Sequence, residues 1–350
     1  MIYIGLDVHK VNTKVACLDG ETGEISDAYD WPTAQLAEHL TAQAAPTRIV
    51  MEAGSSSSFV ARQLKSLGVE VMVVDAFRSH RLLEAMQTAK TDKLAAQGLA
   101  AGLAGGYLEG AAVWVGDEAS YELRELTRTR QALTEQTTRL RNCIRAFLVR
   151  HGPDCPYRDL LGQKATPWLD QRQAQLPVLL AVTLGAMRGA LGAVNEQIKA
   201  VAAAVSAQAQ SHPQARLLAT IPGIGPLLAP AIVAEIGAIS RFPSAAHLRS
   251  YSGLVPRISQ SGQRRYSGPL TKRGNRFLRW AMVLAAQHFG RLKATENLAL
   301  RKWYGHLVWK HGRNPAKVAL ARRLLDIIFA MLRDGVEFDP ARLAVADRDR

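Results

Sequence analysis

The sequence predicts a multidomain α/β + α protein, with an α/β domain at the N-terminus followed by two regions built of helices. Three observations carry this reading. Short apolar runs alternate with helix-period segments up to about residue 110; apolar residues recur every seven positions between 111 and 210; and from residue 211 helical stretches are punctuated by glycine and proline. The expected division is 1–110, 111–210, 211–335 and a tail, 336–350, whose Arg and Asp residues suit a frayed end. A chain of 350 residues is long enough for more than one core.

The first region opens with the apolar strand Ile2–Val8 and a second strand, Thr13–Leu18, closed off by the turn Gly20–Gly23. A third strand is expected near Ile25–Trp31 and a helix near Ala34–Ala44. The strand Arg48–Glu52, a helix from Ser57 to Leu67, the strand Val69–Val74 and a helix around Thr91–Leu103 follow. Three strands, then alternating helices and strands, make a mixed sheet flanked by helices. In the middle region Leu126, Leu133, Leu140 and Phe147 fall every seven residues, with Leu123 and Ile144 on the same seam. Leu184, Met187, Leu191, Val194, Ile198, Val201 and Val205 advance by threes and fours. Two helices with such seams pair with each other, inside one chain or across a subunit interface. Gly152–Pro156 and Ala165–Pro167 mark a loop between them.

Charge is unevenly spread. The net charge is +14, yet residues 1–110 carry nine Lys/Arg against thirteen Asp/Glu, and residues 111–248 fourteen against ten. Residues 249–333 carry eighteen basic residues against only Glu296 and Asp326. A polyanion, meaning nucleic acid, is therefore expected to dock on the last third. Hydrophobic content of 48% excludes a largely disordered chain. No apolar run of about 18 residues lacks a charge or a Gly/Pro break, so no spanning helix and no membrane partner are expected. The start, MIYIGLDVHK, lacks the features of a signal peptide. Cys17, Cys143 and Cys155 have no metal-ligand spacing and read as thiols of a reducing cytoplasm.

The acidic first region places Asp7 and Glu52 at strand ends and Asp92 at a helix start. Carboxylates so placed, beside a basic module, suit a Mg²⁺ site, since Mg²⁺ takes oxygen ligands and can clamp a phosphodiester. A phosphate loop is the rival reading of IGLD, but Val8, His9 and Lys10 fill the positions where that loop needs small residues. In the last third, Ile221-Pro222-Gly223-Ile224-Gly225-Pro226 resembles a helix-hairpin-helix turn, whose glycines bring backbone N–H groups to DNA phosphates; a plain tight turn is the alternative. Ser261 is followed by glycine and flanked by Arg257, Arg264, Arg265, Lys272 and Arg273, with Arg276 beyond. Those cations would neutralise a phosphorane around a serine nucleophile, or Ser261 is a loop serine among phosphate-contacting arginines. Chemistry alone leaves both readings open.

In order along the chain, IGLDVHK, VMEAGSS, AKTDKLAAQGLA, the PGIG turn and GLVPRISQSG followed by TKRGN resemble the DEDD transposases of insertion-sequence family one-ten, relatives of the Piv-type DNA invertases. The resemblance spans roughly residues 2 to 335. It implies an N-terminal RuvC-like domain of the RNase H fold, a coiled-coil middle and a C-terminal transposase domain with helix-hairpin-helix and a nucleophilic serine. It further implies a bacterial, nucleoid-associated DNA recombinase of the cytoplasm, guided by a structured noncoding bridge RNA that pairs with donor and target DNA. Ser261 would form a phosphoserine linkage, Asp7, Glu52 and Asp92 would hold Mg²⁺, and a dimer or tetramer would complete the site. The chain departs from the family at the fourth carboxylate: that position, three residues after Asp92, is Ala95. A methyl cannot ligate a metal, so the resemblance implies an impaired enzyme. A nucleic-acid-binding protein that no longer cuts, and a RuvC-like junction nuclease using water, are the competing functions.

Overall fold

The computed structural model describes residues 1–41, 46–83, 92–261, 264–271 and 274–342, with the backbone alone at 258–261, 264–267, 269 and 342. Two units partition the chain, Met1–Glu118 and Ala119–Arg350.

The first unit is built on a six-stranded mixed sheet. Its strands are β1 (Ile2–Val8), β2 (Asn12–Asp19), β3 (Tyr29–Pro32), β4 (Thr47–Glu52), β5 (Glu70–Val74) and the short β6 (Ala112–Val113), ordered β3-β2-β1-β4-β5-β6. β1, β2 and β3 are antiparallel, whereas β4 runs parallel to β1 and β5 parallel to β4. Ile4, Leu6, Val15, Ile49 and Met51 bury one side of these strands against α1 (Leu36–Thr41) and α2 (Ser57–Ser66). Val50 and Val74 face the opposite way, onto α4 (Asp92–Ala104). Alternating side chains of buried strands thus feed two cores, as the two-residue period dictates. This sheet order and these helix-covered faces are compatible with an RNase H-like domain.

The expected strands and helices stand within a few residues of their sequence positions, with two amendments. Ile25 makes only an isolated bridge to Leu18, so the third strand starts later, at Tyr29. A further helix, α3 (Ala76–Leu83), follows β5. Residues 42–44, expected to end the first helix, lie outside the described residues, as does Thr91.

The second unit begins on the 34-residue helix α5 (Glu118–His151) and includes an equally long helix, α7 (Val178–Ser211). Ala165–Pro167 does not belong to a loop: it opens α6 (Ala165–Ala174), because Pro167 falls in the first turn, where a missing N–H costs no helical bond. Ile144, Phe147 and Leu148 of α5 meet Leu169 of α6 and Leu184 and Leu191 of α7 in one core, joined by Leu140 and Met187. The expected seams therefore meet inside one chain at this end, while Leu126, Leu133, Val194, Ile198 and Val201 are half-buried and outside that core. By length and composition α7 is apolar enough to cross a membrane, which amends the sequence expectation. The single charge in its first half, Arg188, bonds Asp170 and Gln173 of α6 at 2.6 and 2.7 Å, tying α7 to its neighbour.

A second core joins α8 (Pro213–Ala219), α9 (Leu228–Ile236), α10 (Ala245–Ser252), α11 (Arg276–Phe289), α12 (Ala299–His311) and α13 (Arg313–Asp334). Between α10 and α11 stands a two-stranded hairpin, β7 (Pro256–Ser261) and β8 (Arg264–Leu270). It interrupts the helical run that the sequence suggests.

Candidate active site and nucleic-acid interface

Asp7 lies one step beyond the last paired residues of β1 and β4, where Leu6 faces Met51, and Glu52 stands at the equivalent position on β4. Two neighbouring parallel strands therefore deliver two carboxylates at the same end of the sheet. Glu52 is held by a residue no motif suggested: Ser79 of α3, itself fully buried, donates its hydroxyl to Glu52 Oε1 at 2.6 Å.

Asp92 reaches this end because α4 crosses β1 at backbone contact. A Cβ on Gly5 would lie 2.0 Å from the Ala96 carbonyl oxygen and 2.6 Å from the Ala100 nitrogen, so only glycine permits the approach. Lys93 adds an ion pair with Asp27 at 2.7 Å, and Gln97 Nε2 donates to the Ser26 carbonyl at 2.9 Å, fixing the start of the helix. Ala95 is half-buried on α4, one turn from Asp92.

Between the two aspartates stands His9. Its Nε2 lies 3.4 Å from Asp7 Oδ2 and 3.6 Å from Asp92 Oδ2, and one donor atom from each of the three lies within 4.8 Å of the others. Glu52 is not part of this close cluster. The backbone of His9 is anchored from below: the buried Thr33 hydroxyl donates to the His9 carbonyl at 2.9 Å and so must accept from Thr13 Oγ1, also at 2.9 Å. Two carboxylates and an imidazole can hold a divalent cation; their oxygens fit a hard ion, and the nitrogen adds affinity for transition metals. Sequence reasoning passed over His9, although a residue two beyond Asp7 along an extended chain points to the same face.

The second unit carries the other expected residues. Ser261 ends β7, its Cα paired with Arg264 at the start of β8, followed by the pairing of Gln260 with Arg265. Arg257 is exposed near the hairpin's base; Lys272 and Arg273, like the two residues between the strands, lie outside the described residues. Arg276 is exposed at the first position of α11 and, with Arg128 and Phe277, lines an open cleft of about 370 Å³. Of the two glycines in the PGIG turn, Gly223 (φ 93°) has a packing reason: a Cβ there would lie 2.7 Å from the Phe289 nitrogen. Gly225 has open space around its Cβ position and precedes α9.

The segment that follows the hairpin is tied to one buried carboxylate. Glu235 of α9 is 2% exposed, and Arg128 of α5 grips it with two bonds, at 2.7 and 2.9 Å. Asn275 Nδ2 donates to Glu235 Oε2 at 2.6 Å and to the Tyr251 hydroxyl at 3.0 Å. The same Asn275 caps α11, its Oδ1 accepting from the Phe277 and Leu278 amides at 3.0 and 2.9 Å. Burial pushes the Arg128 guanidinium down, but the bond and charge of Glu235 outweigh it and hold the group above its ordinary value. Gly274, at φ 122°, lets the chain pass 2.5 Å (from its Cβ position) below the Tyr251 carbonyl. The GN of TKRGN is therefore explained by packing and capping.

Comparison with known proteins adds to this geometry. The DEDD transposase family of the IS110 type matches residues 4–153, and the family described as Transposase IS116/IS110/IS902 matches residues 215–299. The transposase of insertion sequence element IS1328 from Yersinia enterocolitica is 24% identical over 335 residues, covering 96% of this chain and 98% of that one. A 43.6 kDa protein of insertion element IS110 from Streptomyces coelicolor is 33% identical over 174 residues, which are 49% of this chain and 42% of its own. The pilin gene-inverting protein of Moraxella bovis is 37% identical over 131 residues, 36% of this chain and 39% of that. One matched region covers the carboxylate-bearing sheet and the other covers the hairpin whose first strand ends in Ser261, and on that ground the chain belongs to the IS110 family of transposases.

Proposed function

We propose that this protein cuts and rejoins DNA for insertion-sequence mobility, with Ser261 as nucleophile and Asp7, Glu52 and Asp92 as the residues that hold Mg²⁺. The observation that carries the reading is the meeting of Asp7 and Asp92 at one end of the sheet, made possible by Gly5. A bound divalent ion would supply positive charge where the scissile phosphate gains negative charge. Ser261 Oγ attacks the phosphorus, the bond to one DNA oxygen breaks, and that oxygen leaves with a proton. The resulting phosphoserine ester keeps the bond energy. A hydroxyl of the second DNA then attacks the same phosphorus, the bond to Oγ breaks, and the proton returns to Ser261. Arg257, Arg264, Arg265, Lys272, Arg273 and Arg276 neutralise the phosphates, and Gly223 and Gly225 belong to the turn offered to DNA. A bridge RNA supplies the sequence choice, and a dimer or tetramer brings Ser261 of one copy to the carboxylates of another.

Ala95 gives this chain one oxygen ligand fewer, so the parent is expected to cut poorly while still binding nucleic acid. The test is a covalent-adduct assay with Mg²⁺, the element's flanking noncoding RNA and matching DNA, resolved on a denaturing gel. An Ala95→Asp chain is expected to give a protein–DNA adduct, and one that also carries Ser261→Ala to give none. Cleavage without an adduct would replace the reading with a nuclease that uses water. Nucleic-acid binding with no cleavage in any version would leave a binding protein alone, a reading that Ala95 itself favours.

A further inference from the structure

We infer that α12 carries a stacking platform for an unpaired stretch of nucleic acid, centred on Trp309. The inference goes beyond the proposed function, which assigns nothing to this helix, and α12 begins where the second family match ends.

Trp309 is 82% exposed, the most exposed of the large hydrophobic side chains described. Burying an indole is worth a great deal, so a tryptophan held in water within an ordered helix is informative in a way an exposed leucine is not. Its neighbours decide what it could meet. Lys302, His306 and Trp309 follow one another at steps of four and three, within roughly 60° of one face of the helix. All three are exposed, as are Lys310 at the edge of the face and Arg313 just beyond the turn at Gly312. The His306 ring lies 5.9 Å from that of Trp309, tilted by 34°, so a second aromatic ring stands beside the first. From residue 297 to residue 325 the sequence contains no Asp or Glu. The surface is therefore aromatic and rimmed by cations, without an acidic group of its own segment.

A hydrocarbon partner would use the ring and leave the cations unmatched, and a duplex would use the cations and leave the ring unmatched. In a duplex the faces of internal bases are covered by their neighbours. An unpaired strand offers both a bare base for the indole and phosphates for Lys302, Lys310 and Arg313. Because every base has such a face, the contact would be tolerant of sequence.

The test is a fluorescence titration of the full chain and of Trp309→Ala and Trp309→Phe versions. The probes are oligothymidine and oligouridine of about 15 nucleotides, a hairpin duplex of similar charge, and phosphatidylserine vesicles. Single strands are expected to quench the parent's emission, with quenching reduced in Trp309→Ala and affinity falling about 5- to 100-fold. Trp309→Phe should keep most of the affinity, since a phenyl ring still stacks. Trp309-dependent quenching by either strand supports the platform, and the tighter of the two identifies RNA or DNA as its source. Unchanged single-strand affinity in Trp309→Ala would overturn it, as would an equal loss for the duplex or a Trp309-dependent response to vesicles alone. The exposed side chain makes the variants safe for folding, which a matching circular dichroism melt would check. Adduct formation through Ser261 is a separate readout. An Ala95→Asp chain that forms no adduct yet shows Trp309-dependent quenching would lose the recombinase reading and keep the platform.

Discussion

Gly5 determines how near α4 comes to β1, and with it where Asp92 stands. Gly5→Ala would place a methyl against the Ala96 carbonyl and the Ala100 amide, two backbone groups that cannot swing aside. Overpacking of this kind costs about 1–3 kcal/mol, and here the upper part of that range is expected. The measurement is a urea melt followed by Mn²⁺ titration: both the midpoint and the metal affinity should fall, and a Gly5→Ala chain matching the parent in both would contradict the geometry. At this scale the sequence made the position of the three carboxylates readable, while their role belongs to the proposal. Asp7, Glu52 and Asp92 sit at the ends of apolar segments, where a charged side chain escapes burial and the eye catches it. His9 and Ser79 were not legible. His9 follows Asp7 in a run whose polarity suggests only a turn, and Ser79 acts by a hydrogen bond from a helix that had not been recognised.

Among the elements, Glu235 joins α5, α9 and the start of α11 through one carboxylate. Its removal takes both carboxylate acceptors from the half-buried Arg128 and leaves Asn275 Nδ2 with the Tyr251 hydroxyl alone. Breaking a buried pair from one side typically costs about 3–5 kcal/mol. Glu235→Ala is thus expected to lower the melting temperature of the second unit by roughly 10 °C in calorimetry. Glu235→Gln, which keeps an acceptor for one partner, should cost distinctly less, and equal losses would refute the shared-carboxylate account. Apolar runs made β1, β4 and β5 plain in the sequence, since strands buried on both sides must be continuous in Val, Ile and Met. The hairpin was hidden for the opposite reason. PRISQS and RRYSGPL hold few apolar residues, so no alternation marks them as strands. The α3 segment AFRSHRLL was too short to register a helical period.

For the whole molecule, the eighteen basic residues against two acidic ones between 249 and 333 are expected to set how it meets nucleic acid. Binding governed by phosphate contacts releases counterions and weakens steeply with salt. Six to ten such contacts would lower affinity by about 10³–10⁵ between 50 and 200 mM salt, measurable by filter binding. A slope near zero would mean that the basic third does not carry the interaction. The charge imbalance was visible in the sequence because it is a matter of counting, whereas the grouping of the middle helices with the C-terminal helices depends on contacts that counting cannot give. The bond between Arg128 and Glu235 spans 107 residues, and Asn275 lies forty further on. On a ribosome, the first unit is complete once Glu118 has emerged, but the anchor of the hairpin must wait for Asn275. At ordinary rates of synthesis that delay is on the order of 10 to 30 s. The nascent chain thus acquires its carboxylates well before its serine is held in place, and an unfinished polypeptide carries only half of the proposed chemistry.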